Sequence, residues 1–82
     1  MSESGGSVRD RIVGVVSEVF HLPAETVMQG VSPDRVEGWD SHAHVVLVVT
    51  LEECFGVMFE PDDVPELTSL EAMEEIIRRR GG

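Results

Sequence analysis

Lysine is absent from this chain, cysteine occurs once, and no apolar stretch is long enough to cross a bilayer. A single thiol, Cys54, excludes an internal disulfide and fits a reducing compartment. Cys54 is expected to be an inert, partly buried helix residue. The polar, glycine-rich residues 1–6 contain no apolar signal region, so the chain reads as cytoplasmic. All six basic side chains are arginines, set against sixteen acidic ones, for a formal net charge of −10. Such a surface is a poor match for nucleic-acid phosphates or anionic membranes and suits basic protein surfaces. The 82 residues have room for one domain with one small core. Residues 1–6 read as a flexible tail, 7–80 as the domain and 81–82 as a C-terminal tail, in a protein expected to be monomeric.

What is present is helical in its spacing. Ser7-Val8-Arg9-Asp10 reads as a capping box with Ser7 as the cap. Val8, Ile12, Val15, Val16 and Val19 then fall on one helical face. Gly14 weakens this helix by about 1 kcal/mol relative to alanine, and Pro23 predicts its end near His21 or Leu22. Residues 23–40, punctuated by Pro23, Gly30, Pro33 and Gly38, read as a long loop laid over the helices. Val27, Met28, Val31, Val36 and Trp39 are its expected anchors, with a helical turn at 32–35. The β-branched run 45–49 would also suit a strand, but the unbroken length of Ser41–Phe55 favours a helix, stopped by Gly56. Its inward stripe is His44, Leu47, Val48, Leu51 and Phe55, and Val46 and Val49 are the expected exposed pair. Pro61-Asp62-Asp63-Val64 starts a turn that Pro65 keeps short. Thr68-Ser69-Leu70-Glu71 reads as a second capping box before a helix whose apolar face is Leu70, Met73, Ile76 and Ile77. Arg78, Arg79 and Arg80 complement the negative end of that helix. The predicted fold is all-α: a small bundle of three main helices plus one short helix, with a long first loop.

At Gly38-Trp39-Asp40-Ser41 the loop runs into the second main helix. A helix start offers unpaired N–H groups and the positive end of the macrodipole, which favour an anionic phosphate ester. Ser41 therefore reads as a site for attaching a phosphate-linked group. His44 lies three residues on, close enough to touch Ser41. A hydrolase, however, also needs an orienting acid, an oxyanion hole and a substrate cleft, for which so small a bundle has little room. His44 is expected instead to be a packed residue, hydrogen-bonded near the helix start. No metal site is expected: His42 and His44 point to different faces, and no CxxC or HxxxH spacing occurs. Asp62-Asp63 and Glu52-Glu53 lack the spacing of a calcium loop.

Gly38-Trp39-Asp40-Ser41, followed by Leu47, Leu51-Glu52-Glu53 and Phe55-Gly56, resembles the acyl carrier protein family. These are the phosphopantetheine-bearing carriers of fatty acid, polyketide and nonribosomal peptide synthesis. The resemblance spans residues 8–77 and rests on four features together: Asp-Ser at a helix start, the downstream Leu-Glu-Glu, the acidity and the helix lengths. It implies a non-enzymatic carrier, read as free-standing and, given His42 and the valine-rich second main helix, as one of specialised metabolism rather than the housekeeping fatty acid carrier. A phosphopantetheinyl transferase, using coenzyme A and magnesium, would attach phosphopantetheine to Ser41, with Asp40 as the adjacent motif residue. The arm's thiol would hold the cargo as a thioester for loading and synthase enzymes. The resemblance also implies a partner surface on the second main helix, comprising Trp39, His42, Val46, Val49, Glu52 and Glu53. Two positions depart from the family pattern. His42 stands where leucine is usual, and Val46 and Val49 stand where acidic residues are frequent, so the expected contact is more apolar with glutamates at its rim. The alternative is an acidic helical interaction module, an unmodified or decayed carrier without a prosthetic group.

Overall fold

A computed structural model describes residues 7–81 of the chain. The described regular structure is entirely helical: α1 (Val8–Phe20), α2 (Ala24–Met28), α3 (Ser41–Phe55), a 3-10 helix (Val64–Glu66) and α4 (Leu70–Arg79). None of these helices is long and apolar enough to cross a membrane. The tail expected at residues 1–6 lies outside the described residues, as does Gly82.

Each main helix starts on a side-chain cap, which supplies an acceptor to a backbone N–H that has no intrahelical partner. In α1, Ser7 Oγ accepts from the Asp10 N–H at 3.0 Å. In α3 the cap is Asp40, and in α4 Ser69 Oγ accepts from the Ala72 N–H at 3.1 Å. The α4 cap thus falls one residue after the expected Thr68. Both Thr68 and Ser69 can cap, and Ser69 is the one that leaves Leu70 buried as the first helical residue. At the other end, α1 stops at Phe20 because His21 adopts a left-handed conformation, φ 57°, from which its N–H reaches the Ser17 carbonyl. Gly56, φ 66°, does the same for α3, where no β-carbon penalty applies.

The core forms around α1, which packs against α2, α3 and α4. Ile12 and Val16 of α1, Val27, Leu47 and Leu51, Leu67, Met73 and Ile77 are completely buried. Each contributes about 1.5–3 kcal/mol by leaving water. Val13 is buried too, beside the stripe read from spacing, since α1 has neighbours on more than one side.

The long loop differs from its sequence reading in two respects. It contains the extra helix α2, so the bundle has two short helices where one was expected. Five residues are too few to show a helical period, and Pro23, as the N-cap, contributes no side-chain hydrogen bond. Met28 is not an anchor: it is 64% exposed, while Val27, Val31 and Val36 are buried. The expected turn is present, with the Arg35 and Val36 N–H groups donating to the Ser32 carbonyl.

Charged contacts fasten the periphery. Glu74 of α4 accepts from Arg9 of α1 at 3.0 Å and from Arg78 at 2.8 Å. Asp63, buried at the start of the 3-10 helix, receives both arms of Arg80 at 2.9 and 3.1 Å and the Glu60 N–H at 2.9 Å. The Arg80 fork and then the Glu60 N–H hold the Asp63 carboxyl below its usual range. Arg80, placed among the cations at the end of α4, therefore also ties the chain end to the 60–66 segment. Cys54 is exposed rather than partly buried. Arg11 covers that end of α3 instead, donating to the Cys54 carbonyl at 2.6 Å and lying 4.4 Å over the Phe55 ring.

Candidate functional site

The local chain path sets Ser41 at the first position of α3. Gly38, with φ 89°, turns the loop through a conformation that side chains disfavour. Asp40 then takes extended backbone geometry, and its Oδ1 accepts from the Ala43 N–H at 2.8 Å. The His44 N–H donates to the Asp40 carbonyl at 2.9 Å, which closes the first turn. Asp40 is thus the helix cap, and Ser41 follows it, exposed. The N–H groups of Ser41 and His42 lie in the turn where a helix leaves donors free, at the positive end of the macrodipole. A phosphate ester on Ser41 would be held next to both.

Trp39 and His44 build the wall beside this serine. The Trp39 ring packs against Phe20 of α1, with centroids 4.8 Å apart and the planes tilted by 35°, and is partly buried against the core. Its Nε1–H donates to His44 Nδ1 at 3.0 Å, and His44 Nε2 lies 2.6 Å from the Val64 carbonyl of the 3-10 helix. Both ring nitrogens of His44 are therefore engaged, and neither is free to take a proton from Ser41. His44 is the packed, hydrogen-bonded residue expected near the helix start.

An open groove of about 620 Å³ includes Ser41 in its lining. Trp39, Asp40, His44 and Val45 line it on the α3 side, and Val64 and Pro65 line it on the 3-10 side. Its walls are mainly apolar, with Asp40, Ser41, His44 and Thr68 among the polar residues that line it.

Of the surface residues, Ser41, His42, Val46, Val49 and Glu53 share the exposed side of α3. Val46 is 40% and Val49 43% exposed, as expected for the valines off the inward stripe. Val45, at 57%, is more exposed than either and was missed. Its signal was available, since it lies four residues after Ser41 and so on the same helical line. Trp39 and Glu52 turn inward. Glu52 is half-buried, and its Oε2 accepts from the Phe59 N–H at 2.9 Å, which pins the chain after α3. Among the described residues, no group of three or more histidines, cysteines or carboxylates is placed to hold a metal ion. Comparison with known proteins finds no family model that matches the chain and no match among curated proteins.

Proposed function

We propose that the protein is a carrier of the acyl carrier protein type, serving a biosynthetic pathway of the polyketide or nonribosomal peptide kind. Phosphopantetheine is attached to Ser41 through a phosphodiester and holds the intermediate as a thioester. One observation carries this reading: Ser41 is exposed as the first residue of a capped helix, within Gly38-Trp39-Asp40-Ser41. A tether needs an accessible oxygen and a rigid base. The first is given by exposure, the second by the Asp40 cap and the fully buried Leu47 and Leu51 further along α3. The activating base comes from the transferase, consistent with a His44 whose nitrogens are both engaged. Exposed valines beside Ser41 form an apolar surface for the enzymes that load and use the arm, and the net negative charge steers basic partner faces toward it.

The test is an intact-mass measurement after incubation with coenzyme A, magnesium and a broad-specificity phosphopantetheinyl transferase. The carrier reading expects the gain of one phosphopantetheine, absent in Ser41→Ala. No gain with several transferases would instead favour an unmodified acidic interaction module.

A further inference from the structure

His44 spans two segments that share no other side-chain hydrogen bond among the described residues: the loop that ends at Asp40 and the 3-10 helix. Its protonation state is dictated by its partners. The indole Nε1–H can only donate, so His44 Nδ1 is the bare nitrogen that accepts it. The ring proton then sits on Nε2 and is donated to the Val64 carbonyl. One neutral tautomer satisfies both contacts. The imidazolium keeps the bond to Val64 but carries a second N–H at Nδ1, aimed at the indole N–H. Trp39 then keeps its apolar contacts with Phe20 and the core and its backbone hydrogen bond to the Val36 carbonyl, but its indole N–H has lost its acceptor.

We propose that His44 is a protonation-operated clasp on the groove beside Ser41. In the neutral form it ties the loop before Ser41 to the 3-10 helix across the groove. Protonation of Nδ1 frees the Trp39 indole, and the loop parts from the 3-10 helix while the helices stay folded. Asp40 is the other titrating residue that lines the groove, and its Oδ1 is taken by the Ala43 N–H. Asp63, next to Val64, is paired with Arg80. Glu60, Asp62 and Glu66 on that segment, Glu37 on the loop, His42 on α3 and His21 beside Phe20 are all exposed. The clasp concerns the shape of the groove and does not depend on whether Ser41 carries an arm.

Nuclear magnetic resonance of the full chain with nitrogen-15 histidine tests this. At neutral pH His44 should show the Nε2–H tautomer, with the Trp39 indole N–H protected from solvent exchange. As pH falls, indole protection, taken relative to free tryptophan at the same pH, should drop at least tenfold with the midpoint of the His44 ring, while far-UV ellipticity holds. His44→Gln should abolish that step, and His21→Gln should leave it in place. The proposal is overturned by an Nδ1–H tautomer at neutral pH, by indole protection that persists through the His44 titration, by a step retained in His44→Gln, or by ellipticity lost at the same midpoint.

Discussion

Replacing Asp40 by alanine removes the acceptor that starts α3. The bond lost is short, 2.8 Å from Oδ1 to the Ala43 nitrogen, and Asp40 is exposed, so no cavity accompanies it. Deleting an N-cap acceptor costs about 1 kcal/mol, within a range of roughly 0.5–2. For a domain of this size that corresponds to a fall in melting temperature of about 4–8 °C. Asparagine keeps a side-chain oxygen for the Ala43 N–H and loses only the attraction of a full charge to the helix dipole, about 0.3–1 kcal/mol. Urea unfolding followed by far-UV circular dichroism measures both, with the slope against denaturant expected to stay unchanged. The expected order is wild type, Asp40→Asn, Asp40→Ala. An alanine variant as stable as wild type would refute the placing of the α3 start at Asp40, and with it the position of Ser41 at the first helical residue.

Other expectations follow from the same geometry. Gly14→Ala should stabilise the protein by about 0.5–1 kcal/mol in the same urea assay, because a β-carbon at this exposed α1 site meets nothing within 4 Å. The Asp63–Arg80 pair should make stability acid-sensitive. A carboxyl held below its ordinary 3.8 contributes fully above that value and loses its contribution as pH falls through the depressed one. The stability gap between wild type and Asp63→Asn should therefore be constant at neutral pH and close under acid; a gap that widened under acid would contradict the sign. Val46→Asp and Val49→Asp should leave the circular dichroism spectrum unchanged, since both side chains already face water, yet impair turnover by partner enzymes. Unaltered turnover would remove α3 from the partner surface.

Much of this fold was legible in the residues because the signals were strong and local. Ser7, the stripe from Ile12 to Val16, the Ser41–Phe55 length and Gly56 each fixed an element through capping or spacing, and the helix survived a run of β-branched residues that favours strands. What was missed depended on contacts made across the chain. α2 is too short to display a period and persists because Val27 plugs into the core. The choice of Ser69 over Thr68 as cap depends on burial of Leu70, which local sequence does not encode. Cys54 could not be placed without knowing that Arg11, 43 residues earlier, lies over that end of α3. At the site, the exposure of Ser41 and the packing of His44 were readable from their offsets around the helix start. The inward turn of Glu52 was not, because its partner is the backbone of Phe59 on the following segment.

The central claim, that Ser41 tethers a detachable thiol, is tested most directly by peptide mass spectrometry of the protein isolated from its own cells. Trypsin releases residues 36–78 as one peptide, since no lysine or arginine lies between Arg35 and Arg78. That peptide also contains the exposed Cys54, so it is reduced first to remove any disulfide-linked adduct. A phosphopantetheine that survives reduction and maps by fragmentation to Ser41 is the predicted result. A reduced peptide carrying an unmodified Ser41 throughout the cellular pool, in a protein that transferases also leave unmodified, would contradict it.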